Sequence, residues 1–253
     1  MTARRRFFAP PNSFDADRQS VTIPADETRH LRDVLRIGSG DVVFVFDGVG
    51  NEYECIVSEP QRESTRLNIL SKVAPRGAES PLQLTLALAL LKGEKFDLVI
   101  QKTTELGVQT IIPIATRFAD VRIKDKRDVD HKVRRWQRIA LEAAKQCGRA
   151  RVPMVSVPTD LSELLGSMPK KDCARLLFSE RLGQPFEATI NEIEKPASII
   201  ALVGSEGGWA DEEIEHARAS GWKILTLSGR TLRAETAAIA VTALLQHRLG
   251  DLN

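Results

Sequence analysis

Hydrophobic and polar positions follow one pattern up to about residue 80 and a different pattern after it. In residues 21–73, short runs of β-branched and aromatic residues are separated by turn residues, as at Val42–Phe46, residues 53–57 and residues 67–73. Residues 30–36 interrupt this pattern and predict one or two helical turns. Several short strands within about 70 residues predict a small β-barrel.

Beyond residue 80 the pattern alternates between strand and helix. A helix is predicted from about residue 96 to Gly107, and a longer helix over residues 129–147 has an apolar stripe that includes Trp136 and Ala140. Strands are predicted at residues 82–90, 108–114, 152–155, 174–178, 198–203 and 223–227. This alternation predicts an α/β domain with a mostly parallel sheet.

A short segment rich in proline and glycine separates the two patterns. Residues 75–81 read Pro-Arg-Gly-Ala-Glu-Ser-Pro, which is typical of a linker. We therefore predict a first domain over residues 1–74, a linker over residues 75–81 and a second domain over residues 82–253. A chain of 253 residues is long enough for this division.

The last third of the chain contains two glycine-bearing loops, each directly after a predicted strand. The first, Gly204-Ser205-Glu206-Gly207-Gly208, precedes a helix that Asp211 can cap, and the second, residues 228–236, precedes an Ala-rich helix over residues 237–248. Loops at the carboxyl ends of successive parallel strands predict a ligand cleft. Neither loop contains the lysine of a P-loop, and the glycine spacing is not GxGxxG, so the ligand need not be a phosphate.

Together, these two loops resemble the paired signature of the RsmE-type ribosomal RNA methyltransferases of the SPOUT superfamily. The family usually has Gly-Pro-Glu-Gly-Gly-Phe and Arg-Ile-Leu-Arg-x-Glu-Thr-Ala, and here Ser205, Trp209 and Thr231 replace the proline, the phenylalanine and the isoleucine. Ser205 leaves the turn less fixed in φ than proline would. Weaker matches extend the resemblance from Arg5 to Ala237.

The resemblance implies a C-terminal SPOUT-type domain, α/β with a trefoil-knotted parallel sheet, and a small N-terminal PUA-like β-barrel domain that binds RNA. It implies S-adenosylmethionine as cofactor, a homodimer with the cofactor site at its interface, and N3 of a uridine in 16S ribosomal RNA of the small subunit as target. It assigns cofactor binding to Ser179, Leu202, Val203, Gly204, Glu206, Gly207, Gly208, Leu227, Ser228, Arg230, Leu232 and Thr236. It assigns RNA binding to Arg5, Arg6, Arg32, Arg36, Lys102, Gln146 and Arg149.

The chemistry of methyl transfer to a ring nitrogen indicates roles for two further residues. Uridine N3 carries a proton at neutral pH and is a poor nucleophile until it loses that proton. Arg233, expected at a helix N-terminus, is the candidate that stabilises the developing anion on the base. Glu235 is either the proton acceptor or a residue with a capping or salt-bridge role, and Glu206 has the same ambiguity.

One segment of the chain has a strong excess of positive charge. The whole chain has a net charge of only +2, but residues 117–151 contain twelve basic and five acidic side chains. Such a segment is either a solvated helix face or a binding surface for a polyanion, and its position in a chain with a cofactor cleft favours the second interpretation. The main rival function is a non-catalytic, ribosome-associated RNA-binding protein, and a second is a SPOUT methyltransferase that modifies a different RNA nucleotide.

The cysteines, the histidines and the short apolar runs argue against several other classes of protein. The three cysteines include no CxxC and the four histidines have no ligand spacing, so we expect neither a disulfide framework nor a metal site. The longest apolar run, residues 84–91, is too short to span a bilayer. Pro10 and Pro11 end the apolar part of the N-terminus, which argues against a signal peptide. We therefore expect a soluble, cytoplasmic protein.

Overall fold

The computed structural model describes residues 4–121, 125–167, 172–193, 196–227 and 229–252. The chain divides into two compact units, of which the first contains Met1–Glu79 and Ala144–Val152. The second contains Ser80–Ala143 and Pro153–Asn253. Each unit has its own sheet and its own hydrophobic core.

The first unit is built on a five-stranded sheet in the order β1-β3-β4-β5-β2. Its strands are β1 (Arg6–Phe8), β2 (Ser20–Ile23), β3 (Val42–Phe46), β4 (Glu52–Pro60) and β5 (Thr65–Val73). The strand β1 pairs parallel to β3 and all other pairs are antiparallel, which gives a half-barrel with β1 and β2 at its edges. Phe7, Leu31, Val45 and Leu67 are fully buried in its core.

The helical segment of the first unit is longer than predicted. A short helix α1 (Ala25–Arg29) continues as a wide π-helical turn over His30–Val34, and a single 3-10 turn spans Pro11–Ser13. The predicted turns at residues 30–36 are thus confirmed, whereas α1 itself was not predicted because polar residues dominate it.

Buried ion pairs explain why residues 144–152 belong to the first unit. Arg6 donates to Glu52 at 3.0 Å, and its guanidinium also donates to the backbone carbonyls of Lys145 and Arg149. Arg149 in turn pairs with Glu79 at 2.8 Å. A buried carboxylate such as Glu52 needs a paired cation, because an uncompensated charge in the interior is costly. The division predicted from the sequence placed residues 144–152 in the second domain instead.

The second unit contains an eight-stranded sheet in the order β11-β13-β10-β12-β6-β7-β8, with β9 paired to β7. Its strands are β6 (Gln83–Ala89), β7 (Thr110–Ala115), β8 (Met154–Val155), β9 (Thr159–Asp160), β10 (Cys173–Phe178), β11 (Gln184–Pro185), β12 (Ser198–Val203) and β13 (Lys223–Thr226). Every pair is parallel, as the alternating pattern predicted. The short strands β9 and β11 were not predicted.

Helices cover the sheet of the second unit. They are α2 (Lys95–Glu105), α3 (Lys126–Cys147), α4 (Leu161–Ser167), α5 (Phe186–Glu192), α6 (Asp211–Ala219) and α7 (Ala234–Leu249). The predicted stripe of α3 is buried at Trp136 and Ala140, and Trp136 stacks on Phe96 of α2. Within the described ranges, none of the helices has the length and apolar character needed to cross a membrane.

Two helix starts differ from prediction. Helix α7 begins at Ala234, three residues before the predicted start, so that Arg233 is its N-cap residue. Asp211 is the first residue of α6 rather than its cap, since Ala210 precedes the helix and donates its N–H to Glu213 at 3.0 Å. The first of these corrections places Arg233 at the junction between a loop and a helix.

Candidate functional site

A cleft of about 500 Å³ opens at the carboxyl edge of the second unit's sheet. It is formed by residues 178–181 at the end of β10, residues 203–206, 208 and 209 at the end of β12, and residues 226, 227 and 229–234 at the end of β13. Parallel strands end at the same edge of a sheet, and the segments that follow them meet there. The two glycine-bearing loops that the sequence singled out therefore line one site.

Most of the predicted cofactor residues line this cleft. They are Ser179, Val203, Gly204, Glu206, Gly208, Leu227, Arg230 and Leu232, together with the proposed catalytic Arg233. Leu202 is fully buried in β12, Thr236 is exposed on α7, and neither lines the cleft. Ser228 lies outside the described residues.

Several residues of the cleft were not predicted from the sequence. They are Lys95, Phe178, Glu180, Arg181, Ser205, Trp209, Thr226, Gly229, Thr231, Ala234, Ala237 and Val241. Most of them are direct sequence neighbours of predicted residues, and they lie in the same segments after β10, β12 and β13. Lys95 is different, because it comes from α2, far away in the sequence.

Two glycines of the first loop make room for aromatic side chains of the protein. A Cβ added at Gly204 would lie 3.0 Å from the Trp209 ring, and one added at Gly207 would lie 2.7 Å from the Cβ of Phe118. Gly208 has a φ of +70°, which residues with a side chain rarely adopt. Position 207 thus requires a glycine because the backbone packs closely on Phe118, and not because it approaches a ligand closely.

Trp209 connects the ends of two neighbouring strands. Its buried indole Nε1 donates to the carbonyl oxygen of Phe178, at the end of β10, at 2.8 Å. Arg181 donates to the carbonyl of Trp209 at 2.9 Å and pairs with Asp211 at the start of α6. The phenylalanine usual in the family has no N–H for the first of these bonds, so this chain holds the loop by a contact of its own.

Lys95 lies between the two carboxylates of the motif loops. Its Nζ is 2.9 Å from Glu206 Oε1 and 3.7 Å from Glu235 Oε2. Burial acts to raise the pKa of the Glu206 carboxyl, but the hydrogen bond and charge of Lys95 and backbone donors outweigh it, so that this pKa lies below its ordinary value. One ammonium group of α2 thereby joins the loop after β12 to the first turn of α7.

Two arginines at the cleft carry no ion pair within the described part of the chain. Arg230 and Arg233 are both exposed and line the cleft, and no described carboxylate pairs with either of them. The other basic residues of the cleft, Lys95 and Arg181, are paired with carboxylates. Arg230 and Arg233 are thus available to an anionic group that enters the cleft.

The structure separates the predicted RNA-binding residues into two groups. Arg5, Arg36 and Gln146 are exposed, whereas Arg32 pairs with Asp33 and Lys102 with Glu105 at the surface. Arg6 and Arg149 are buried in the ion pairs of the first unit. We therefore revise the assignment of Arg6 and Arg149, because a guanidinium that is itself buried in an ion pair is not free to contact phosphate.

The basic segment at residues 117–151 is carried mainly by α3. Arg127, Arg134 and Arg138 are exposed and form no ion pair among the described residues, whereas Lys132 pairs with Asp128 and Arg135 with Asp97. Spacings of seven and four residues place Arg127, Arg134 and Arg138 on one face of the helix. Arg122 and Lys124, which belong to the same segment, lie outside the described residues.

Family models match both parts of the chain, the small β unit and the parallel α/β sheet with this cleft, and together they define an RNA methyltransferase with a PUA domain. The RNA methyltransferase domain family matches residues 78–246, and the RNA methyltransferase PUA domain family matches residues 23–70. A ribosomal RNA small subunit methyltransferase E of Synechocystis is 33% identical over 242 residues, which cover 95% of this chain and 76% of that protein. The chain belongs to the ribosomal RNA small subunit methyltransferase E family.

Solved structures agree with this membership. The ribosomal RNA small subunit methyltransferase E of Neisseria gonorrhoeae, bound to S-adenosylmethionine, has a TM-score of 0.87 and 31% identity and covers 99% of this chain and 100% of its own. A Legionella pneumophila protein in complex with the same cofactor has a TM-score of 0.86 and 30% identity, with the same coverage. The predicted fold class, a SPOUT-type trefoil-knotted α/β domain with a PUA-like domain, is confirmed.

The residues of the cleft fit S-adenosylmethionine. The cleft volume is in the range of small-molecule sites. Phe178, Val203 and Leu227 supply apolar wall for an adenine ring. Two buried hydroxyl oxygens of cleft residues, Ser205 Oγ and Thr226 Oγ1, have no hydrogen-bond partner among the described residues. Unpaired buried polar atoms beside apolar walls indicate a ligand that is partly apolar and partly polar.

Lys95→Met tests the connection between the two loops. We expect the affinity for S-adenosylmethionine to fall about fivefold, the equivalent of about 1 kcal/mol, because the loop after β12 and the start of α7 lose their common partner. The folded-state pKa of Glu206 is lowered, so the stabilisation by this pair is full above the ordinary carboxyl pKa and is lost as the pH falls through the lowered value. The difference in Tm between wild type and variant should therefore shrink on acidification.

Isothermal calorimetry gives the affinity and thermal unfolding across pH gives the Tm difference. Lys102→Met is the matched control, since Lys102 lies in the same helix and pairs with Glu105 instead. Equal affinities of the two variants would contradict the role of Lys95.

Proposed function

We propose that this chain transfers the methyl group of S-adenosylmethionine to N3 of a uridine in 16S ribosomal RNA of the small subunit. The observation that carries the proposal is Arg233 at the N-cap of α7, at the mouth of a cleft that fits the cofactor, exposed and without an ion pair among the described residues. The relatives named ribosomal RNA small subunit methyltransferase E support the choice of substrate. That substrate would place the reaction in the cytoplasm, where ribosomes are.

The reaction depends mainly on positioning and on charge. When bound, S-adenosylmethionine supplies an electrophilic methyl group on a sulfonium, which a nucleophile attacks in line. The loops after β10, β12 and β13 hold the walls of the cleft in place, and restricting the approach of the base is a large part of catalysis of this kind. Lys95 and Trp209 restrain these loops through Glu206 and Phe178.

Arg233 is the residue that we assign to the target base. As uridine N3 loses its proton, negative charge spreads over the ring and its carbonyl oxygens. A guanidinium at the mouth of the cleft stabilises this charge, and the N-terminus of α7 adds a positive partial charge at the same place. Because Arg233 pairs with no described carboxylate, no existing ion pair must break first.

Glu235 is the candidate proton acceptor, and its surroundings favour a second role as well. Its side chain is mostly buried in the first turn of α7, where a carboxylate is stabilised by the helix dipole. Its Oε2 faces Lys95 at 3.7 Å, which is too long for a hydrogen bond. We propose that Glu235 orients the start of α7 in the unliganded enzyme and accepts the proton when the base is bound.

Arg233→Ala tests the catalytic assignment. We expect methyl transfer to fall by about two to three orders of magnitude, because the developing anion loses its cation, while cofactor affinity changes little. The substrate is small ribosomal subunits that lack the modification, and mass spectrometry of digested nucleosides identifies 3-methyluridine as the product.

Arg248→Ala is the matched control, since Arg248 lies at the opposite end of α7 and contacts Glu187 and Asn191. Near-normal single-turnover rates of the Arg233 variant would remove this residue from the mechanism. A product other than 3-methyluridine would show that the enzyme modifies a different atom or nucleotide.

We propose that RNA contacts both units. In the second unit the exposed face of α3 with Arg127, Arg134 and Arg138 supports this, because these arginines pair with no described carboxylate and their position on one helix face suits a phosphate backbone. In the first unit the exposed Arg5 and Arg36 support it. We assign recognition of ribosomal RNA to these residues in place of the buried Arg6 and Arg149.

A double variant, Arg134→Ala with Arg138→Ala, tests the surface of α3. RNA affinity should fall, and the slope of log affinity against log salt concentration should flatten by about one unit per lost phosphate contact. The thermal stability should not change, since both side chains are exposed and unpaired within the described residues.

Filter binding or fluorescence anisotropy across salt concentrations gives the slope. Arg218→Ala is the control, an exposed arginine of α6 that pairs with Glu215. An unchanged slope in the double variant would show that α3 does not contact the backbone.

We propose that the enzyme is a homodimer, as the resemblance implies. Helix α7 packs against α2, β6 and β12, and the residues that remain half-exposed in its middle are small or apolar, among them Ile239, Ala240 and Leu244. Light scattering on the full chain at the concentrations of the methylation assay should give twice the mass of one chain. A monomeric active enzyme would contradict the proposal.

A further inference from the structure

Ser205 is a buried serine in the first motif loop whose hydroxyl has no partner among the described residues. The residue is only 7% exposed, and its Oγ accepts and donates no hydrogen bond within the described part of the chain. It lines the cleft, directly after Gly204 at the end of β12. A buried hydroxyl without a partner destabilises a protein, so such a group at a cleft indicates a partner that arrives with the ligand.

Thr226 repeats this situation on the neighbouring side of the cleft. It is the last residue of β13, it lines the same cleft, and its buried Oγ1 likewise has no partner among the described residues. By contrast, Thr231 lines the cleft with an exposed side chain, and water can satisfy its hydroxyl. The two residues lie at the ends of β12 and β13, the strands on either side of β10.

We infer that the hydroxyls of Ser205 and Thr226 bind neutral polar groups of the adenosyl part of the cofactor. This inference rests on the proposed function, and it concerns two residues whose side chains were not among the predicted contacts. Position 205 is a proline in the usual family motif and offers no hydroxyl there. This chain therefore has a donor and acceptor in its cleft that the usual motif lacks.

The chemistry of the cleft separates the two ends of the cofactor. The carboxylate of the charged amino-acid end needs a positive charge or water, which the exposed Arg230 of the cleft provides. The buried hydroxyls lie at a cleft with apolar wall residues such as Phe178 and Val203, where an unpaired charge would be costly. A hydroxyl both donates and accepts, and it suits the ribose hydroxyls and the adenine edge, which also do both.

Ser205→Ala and Thr226→Val test the inference, with Thr65→Val as the matched control, since Thr65 Oγ1 in β5 is also buried without a described partner but does not line the cleft. Calorimetry should show that each of the first two changes weakens binding of S-adenosylmethionine about three- to tenfold, while Thr65→Val has little effect. The Tm of the unliganded protein should stay the same or rise, because each change removes a buried hydroxyl that has no partner among the described residues. A role within the folded chain would instead lower this Tm.

Methylthioadenosine, which lacks the charged amino-acid end, identifies the part of the cofactor involved. If the hydroxyls bind the adenosyl part, Ser205→Ala and Thr226→Val should weaken its binding by the same factor as that of S-adenosylmethionine. A loss seen with S-adenosylmethionine alone would assign them to the charged end and overturn the inference. Unchanged affinity, or a lower Tm of the unliganded variants, would overturn it as well.

The wild-type titration separates this inference from the proposed function. If the wild-type chain bound no S-adenosylmethionine, the proposed function would be overturned and the inference with it. If the wild type binds the cofactor and the two variants bind it equally well, the inference alone is wrong.

Discussion

The register of β10 between β12 and β13 is the constraint on which the site depends. Phe178, the last residue of β10, pairs with Val203 on one side and with Leu225 on the other. The three strands therefore end at nearly the same level, although their segments are far apart in the sequence. Each of the following loops starts from this common edge, and the cleft lies where they meet. A shift of one residue in β10 would turn its side chains to the opposite face and move the anchor of Trp209.

Contacts between the loops then fix what the sheet brings together. The indole of Trp209 donates to Phe178, and Lys95 joins Glu206 to the first turn of α7. These contacts are made by the protein itself, so the cleft is formed before a ligand enters. When a site is largely formed in advance, ligand binding costs less free energy for ordering of the loops. The site also holds the reacting groups of the ligand in a more accurate position. This is consistent with a reaction in which positioning is the main contribution.

The sequence predicted this edge well because local signals and the fold agree there. Aliphatic runs gave β10, β12 and β13, and the turn residues after them gave the loops. Lys95 could not be predicted, because its partners, Glu206 and Glu235, lie more than 100 residues further on and no periodicity connects them. The glycines were predicted as a motif, but the reason for Gly207 came from Phe118, which a pattern of residue types does not reveal. The start of α7 was missed by three residues, since polar residues open that helix.

The arginines of this chain show most directly what the sequence alone does not determine. Arg5 and Arg6 are neighbours of the same type, yet one is exposed and the other is buried against Glu52. Arg5 precedes β1, whereas Arg6 is the first residue of that strand and is buried together with Phe7, so residue type alone does not distinguish the two arginines. Whether a basic residue is free for RNA depends on whether a carboxylate has entered the interior opposite it. For Arg6 that carboxylate is 46 residues away in the sequence, and for Arg149 it is 70 residues away. Composition can therefore indicate a basic surface, but pairing in the fold decides which of its charges remain available to an RNA backbone.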